Sequence, residues 1–334
     1  MSSLLLRPLR KRRHRAGLAA LSGLLLVTGC TDYGGDLSGA SISGGGDGDT
    51  VVVSETAGTP SAFLAYGVRE GFFEDEGLNV EVRPSSGGAS VIPALLSGDI
   101  DIAGSNVVSA LLAMGRRMPI EMIAAGTSTS ERADDDFSSL MVPADSPIAG
   151  PEDLDGAKIA VNTLQNINDI VLHSVLAEHG LGNGDVQLVE MPFPDMPAAM
   201  DRGDVDAGLL IEPFATIGRG AGLRDIARPY TATRPNLQIG TYLMTGDEIG
   251  EDPELARAFR AGVEATAESI ARDPQSFRDA LPEISELAPE LAAQIDLPDW
   301  QGVTDRGSIE TIHAVMRDIG LTDAELDYDE AVYE

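Results

Sequence analysis

From Thr50 onward the chain alternates short apolar runs with stretches of helical spacing. Val51-Val52-Val53 is a β-branched run closed by Thr56-Ala57-Gly58-Thr59-Pro60, as expected of a buried strand that ends in a turn. Residues 62–76 carry Phe63, Tyr66, Phe72 and Phe73 at helical intervals, with Gly77 as the stop. Residues 79–83 alternate as a strand, 85–88 read as a loop and 89–97 return to helical spacing. A strand over 101–103, a helix over 107–114 and a strand over 120–125 follow. A second set has strands over 158–161, 186–191 and 207–211, and helices over 166–179, 196–202 and from 213. Strands alternating with helices of this length predict parallel sheets covered by crossover helices. Two such sets predict two α/β lobes, each with its own sheet. Beyond a strand over 239–244 the chain reads mainly as helices, over 253–272, 274–281 and 306–319. The first of these keeps Leu255, Phe259, Val263 and Ile270 on or near one face.

The first 49 residues follow neither pattern. Arg7, Arg10, Lys11, Arg12, Arg13 and Arg15 precede an apolar run from Ala16 to Val27 that ends in Val27-Thr28-Gly29-Cys30. A basic stretch, a short apolar stretch and small residues describe an export signal over 1–29. The apolar run is about 12 residues, short of the roughly 20 that span a bilayer. The Arg12-Arg13 pair leaves twin-arginine export open beside the general secretory route. Cys30 is the only cysteine, so it has no intrachain disulfide partner and cannot build a cysteine metal cluster. Residues 30–49 are rich in Gly, Ser and Asp and predict a flexible tether.

Charge narrows the partners. The chain has 23 Lys+Arg against 54 Asp+Glu. Removal of the signal leaves 17 basic residues and a net charge of −37, with Lys158 the remaining lysine. Nucleic acid and anionic membrane surfaces would repel such a protein. The acidity suits a solvated surface in salty surroundings, or a cleft that attracts cations.

In open α/β sheets ligands bind beyond the carboxyl ends of the strands, where loops enter helix N-termini. Unpaired backbone N–H groups and partial positive charge there hold anions without basic side chains. Five turns qualify, at 56–61, 85–90, 104–106, 126–130 and 162–166, all rich in small hydroxyl or amide residues. Each turn alone is explained by helix capping; five after five strands point to a shared cleft. The candidate ligand-binding residues are Thr59, Ser61, Gly88, Ala89, Ser105, Asn106, Thr127, Ser128, Asn162, Thr163, Gln165, Glu212 and Tyr242. Glu212, before Pro213, either caps a helix or accepts a hydrogen bond from a solute amine. Arg132 either clamps an anion or pairs with Glu131, Asp134, Asp135 or Asp136 around it.

Four segments carry a resemblance: AYGVREGFFEDEGL over 65–78, ALLSGDIDIA over 94–103, DLDGAKIAV over 153–161, and MDRGDVDA over 200–207 followed by Glu212-Pro213-Phe214. In this order they resemble the substrate-binding proteins of nitrate/sulfonate/taurine-type ABC transporters, over roughly residues 51–240. The resemblance implies a type II periplasmic-binding-protein fold, two α/β lobes joined at a hinge and closing on a central cleft. Lobe 1 would span 50–142 and about 239–334, and lobe 2 would span 143–238. It also implies a monomer that delivers a small solute to an ABC permease and its ATPase, with neither cofactor nor metal. The position of Cys30 resembles the lipobox of bacterial lipoproteins, which implies lipidation and a membrane contact made by the lipid anchor only. Within the resemblance Gly71, Gly77 and Gly98 read as helix ends, Asp101 and Asp206 as backbone anchors, and Phe72 and Phe73 as core.

A small anion or zwitterion fits the helix-terminus argument. A heterocyclic thiamine precursor would need stacking rings, for which Phe63, Phe137, Phe193 and Tyr242 are available. An enzyme on the same fold is the runner-up class, and a receptor or sensor ectodomain built on the same lobes is a third. Against the enzyme, His173 and His179 are six apart and face different sides of one helix, and no His/Cys/Asp cluster has metal-ligand spacing.

Overall fold

The computed structural model describes residues 50–333, Glu286 excepted; the export signal, Cys30 and the tether expected before Thr50 lie outside the described residues. The strands are β1 (Thr50–Thr56), β2 (Asn79–Ser85), β3 (Ile102–Asn106), β4 (Ile120–Ala125), β5 (Thr127–Ser128), β6 (Ser138–Pro143), β7 (Lys158–Val161), β8 (Gln187–Glu190), β9 (Ala207–Ile211), β10 (Leu223–Ala227), β11 (Gly240–Thr245) and β12 (Asp299–Trp300). They build two five-stranded sheets, ordered β2-β1-β3-β11-β4 and β10-β6-β9-β7-β8, and a short β12-β5 ribbon.

Read from its far edge, the second sheet repeats the plan of the first. In each, the strand in fourth place runs antiparallel to its neighbours: β11 between β3 and β4, β6 between β9 and β10. Each of these two strands is the first that the chain forms after crossing from one sheet to the other. The chain enters the second sheet as β6 and re-enters the first as β11. The first crossing therefore lies before Ser138, and the lobe boundary expected at 142/143 moves toward the N-terminus accordingly. Neither β6 nor β10 was legible as a strand. Ser138 and Ser139 dilute the apolar run of β6, and β10, at the sheet edge, is only half-buried over most of its length.

Local chemistry explains why the paired lobes share this plan. Asp101, just before β3, accepts the Val52 amide of β1 at 2.8 Å, and Asp206, just before β9, accepts the Lys158 amide of β7 at 2.8 Å. Each carboxylate tethers the third strand to the first. Helix Gly88–Ser97 ends on Gly98 at φ +74°, a left-handed conformation that glycine adopts without strain. The long helix Pro253–Arg272 starts on an Asp252 cap and lays its apolar stripe on the first sheet. There Phe259 stacks on Phe73 at 5.4 Å and meets Tyr242 edge-on at 5.2 Å. Phe73 is core as expected, whereas Phe72 is only half-buried.

The segments linking the lobes run against each other. Gly126 donates to Gly240 O, Ile239 to Thr127 O and Thr129 to Leu237 O, each at 2.9 Å. β12 adds a third strand by pairing with β5. Its Trp300 stacks on Phe63 at 5.2 Å. Asp136 secures the far end, accepting the Ser138 amide at 2.8 Å and the Thr231 amide at 2.7 Å; burial raises its carboxyl pKa.

Candidate functional site

The carboxyl ends of β1, β3, β7 and β9 converge, as doubly wound sheets direct. Between them lies a partly open cavity of about 50 Å³ accessible to water-sized molecules, enough for roughly four waters. The first lobe contributes Glu55, Thr56, Pro60, Gly88, Ser105 and Asn106, and the second Asn162, Asn166, Ile167, Phe193, Ile211 and Tyr230. The crossing segments supply Thr127, Phe137, Ile239 and Gly240. The starts of four helices line it: Thr59–Arg69, Gly88–Ser97, Val107–Gly115 and Ile167–Glu178. No Lys, Arg or His is among the lining residues.

Five of the thirteen sequence candidates line this cavity: Gly88, Ser105, Asn106, Thr127 and Asn162. Five more are buried behind it. The Thr59 amide donates across the cleft to Glu212 O at 3.1 Å, and its hydroxyl has no hydrogen-bond partner among the described residues. Ser128 pairs with Asp299 through its backbone while its buried hydroxyl has no hydrogen-bond partner among the described residues, and Thr163 accepts from the Asn166 side-chain amide at 2.6 Å. The Glu212 carboxylate accepts from the Thr216 amide and hydroxyl and from Arg219, at the start of helix Phe214–Gly220. Burial raises the Glu212 pKa, against the opposing pull of Arg219. Tyr242 is buried in the first lobe's core. The remaining three do not line the cavity: Ala89 and Gln165 are exposed, and Ser61 bonds back to Gly58 O at 3.1 Å. Arg132 is an exposed partner of Asp134 and Asp135.

Sequence reasoning missed an amide network and a carboxyl. Asn162 Oδ1 accepts from Asn166 at 2.9 Å and from Asn168 at 2.6 Å, and Tyr230 donates to Asn168 at 2.6 Å. This fixes the Asn162 side chain, whose Nδ2 reaches Ser86 O of the other lobe at 3.1 Å. Burial pushes the Tyr230 phenol pKa well up. The missed carboxyl is Glu55, 5 % exposed at the end of β1. Burial outweighs its bonds to Thr56 and Tyr242 and pushes its pKa up to about 8. The available signal was an acid closing the apolar run Val51-Val52-Val53.

Outside the cavity a second set of contacts spans the lobes. Asp296, in the loop between helix Pro289–Ala292 and β12, pairs with Arg228 at 2.9 Å and Arg219 at 3.6 Å. Both arginines also hold Asp225 at 3.1 Å. A larger groove of about 530 Å³ is lined by residues at the start of β4 and in the C-terminal segment, at the opposite end of the first sheet.

The family described as NMT1/THI5 like matches residues 59–277. The chain belongs to the NMT1/THI5-like family. A relative in sequence is the taurine-binding periplasmic protein of Escherichia coli (strain K12), 29% identical over 222 residues. That alignment covers 65% of this chain and 65% of the relative, a little under two thirds of its length. A 4-amino-5-hydroxymethyl-2-methylpyrimidine phosphate synthase of Aspergillus parasiticus is 21% identical over 244 residues, 68% of this chain and 67% of that one. In three dimensions the chain is similar to the alkanesulfonate-binding protein SsuA from Xanthomonas axonopodis pv. citri, whose structure holds MOPS. The TM-score is 0.72 at 17% identity, covering 86% of this chain and 99% of that one. The fold of this NMT1/THI5-like chain is thus that of the periplasmic binding proteins.

Proposed function

We propose that the protein is the extracytoplasmic solute-binding component of an ABC importer, and that it captures a small anionic or zwitterionic solute of the sulfonate or taurine type by closing its two lobes. The observation that carries this reading is the cavity at the strand ends, lined from both lobes by the starts of four helices. With no basic side chain in the lining, an anion would be held by backbone N–H groups and by the Ser105, Asn106, Thr127 and Asn162 side chains. The taurine-binding relative and the alkanesulfonate-binding neighbour support the same solute class.

Binding without catalysis is supported by those relatives and by a lining that holds no His, Cys or Lys. A heterocyclic ligand has one observation in its favour, the Phe137 and Phe193 rings in the wall; the small volume favours the smaller solute. In this reading a permease and its ATPase receive the solute, and the monomer is exported and held at the membrane through a lipid on Cys30. Any ligand that binds only the native state raises its melting temperature. A melting-shift screen against taurine, alkanesulfonates, nitrate, amino acids and aminopyrimidines tests the reading. A shift of several degrees with sulfonates or taurine is expected, and a response confined to aminopyrimidines would overturn it.

A further inference from the structure

The cavity has a chemical asymmetry. Its lining carries one carboxyl, Glu55, and no cationic side chain. The seat of that carboxyl is built. β1 and β3 pair in parallel with Ser54 beside Ala103, and β3 and β11 pair with Gly104 opposite Tyr242. Glu55, Gly104 and Tyr242 thus form a row across one face of the sheet. A side chain at position 104 would come within 2.8 Å of Glu55 Oε1, so glycine there leaves the space the carboxyl occupies. Oε1 accepts the Thr56 amide at 2.6 Å, and the Tyr242 hydroxyl also hydrogen-bonds the carboxyl. A carboxylate with these two donors and no cation is oriented but not neutralised, and burial of an uncompensated charge is costly.

We infer that Glu55 is completed by the solute itself: the ligand carries an ammonium group that pairs with the Glu55 carboxylate while its anionic end meets the helix N-termini. This rests on the solute-binding reading above and deepens it, because it selects a short zwitterion, an aminosulfonate or amino acid, over a plain anion such as nitrate or an unsubstituted sulfonate. The apolar wall of Phe137, Ile167, Phe193, Ile211 and Ile239 suits the short hydrocarbon link between the two charged ends.

The proton balance makes the inference measurable. In the empty protein the Glu55 pKa stands at about 8. An ammonium needs the ionised carboxylate, so below that pH binding must release the Glu55 proton. The titratable groups facing Glu55 are Tyr242 on β11, whose phenol is held neutral by burial and by Glu55 itself, and, in the cavity wall, the buried Tyr230 from the second lobe. Neither changes charge between pH 6 and 8.

The experiment is calorimetric titration of the full chain with two matched pairs, taurine against ethanesulfonate and β-alanine against propionate, at pH 6, 7 and 8, repeated on Glu55→Gln. The amine-bearing member of at least one pair should bind more tightly than its partner. Its affinity should rise up to about tenfold per pH unit below pH 8. Glu55→Gln should retain a cooperative melt, lose at least tenfold of that preference and lose the pH slope. Equal affinity for amine-bearing and amine-free probes, an affinity that falls as pH rises, or no binding by either amine-bearing probe would each overturn the inference. Discrimination retained by β-alanine alone would sink the sulfonate reading and leave the Glu55 assignment standing.

Discussion

Glu55 and Tyr242 lie two strands apart on one face of the first sheet, and their polar ends meet over Gly104, which has no side chain to separate them. One carboxyl is thereby kept at the edge of the cleft, beside the apolar core of the first lobe.

That placement has a pH signature in stability. The folded-state pKa of Glu55 is about 8 against an ordinary 4.5. Between these values the native state binds more protons than the unfolded chain, so stability falls as pH rises. This contribution is full below pH 4.5, declines through the window to pH 8 and levels off above it. Glu55→Gln should be near neutral in melting temperature at pH 5 and distinctly stabilising at pH 8 in the absence of solute. Parallel melting curves for the two proteins across that range would contradict the burial assigned to Glu55.

Asp296 reaches from the first lobe to Arg219 and Arg228 of the second, with all three side chains about a quarter exposed. Asp296→Ala removes this tie and leaves both arginines their shared partner Asp225. Partial exposure puts the pair between the surface and buried limits, at about 1 kcal/mol or roughly fivefold. Ligand dissociation should quicken by about that factor in stopped-flow measurements, and the variant should be less sensitive to salt than the parent. An unchanged off-rate would remove the latch.

A side chain at Gly88 would meet the Asn106 backbone nitrogen at 2.8 Å, so strand-end and helix-start backbones pack directly at the cavity wall. Gly88→Ala should cost about 1–3 kcal/mol by overpacking, visible as a lower chemical-denaturation midpoint, and should weaken solute binding because Ser105 and Asn106 are displaced.

Phe259 is fully buried between Phe73 and Tyr242. Phe259→Ala should cost about 3–5 kcal/mol, read by chemical denaturation. A loss under 1 kcal/mol would mean that the helix Pro253–Arg272 is not part of the first lobe's core.

Cys30→Ala should release the protein from the membrane into the soluble fraction on cell fractionation, with its melting temperature unchanged. Retention in the membrane fraction would end the lipid-anchor proposal.

Asp101 and Asp206 show what was legible in advance. Each is an acid at the mouth of a β-branched or apolar strand, and a short polar side chain there has little to reach but backbone; both hold the amide of a neighbouring strand. The helix over 253–272 was equally plain, because a stripe recurring every three to four residues is a local property. β6 was not, since Ser138 and Ser139 look unlike a strand until the second sheet buries them. Among the site candidates, Ser105 and Asn106 end β3, Asn162 directly follows β7, and all three line the cavity, whereas Ala89 and Gln165, on turns of the same kind, face solvent. Position after a strand names a turn, but a rotation of one residue about a helix start decides which side chain points inward.

By itself the sequence determined the alternation of strands and helices, the two lobes and the chemistry of the turns, because these follow from spacing and residue type along a few neighbouring positions. Tertiary structure alone decided the rest. It set which strand takes the antiparallel place in each sheet, brought Asp296 to Arg228 and seated Glu55 against Tyr242. Those relationships join residues 68 and 187 positions apart, and only the packing of one lobe on the other, and of one strand across its neighbour, brings them within reach.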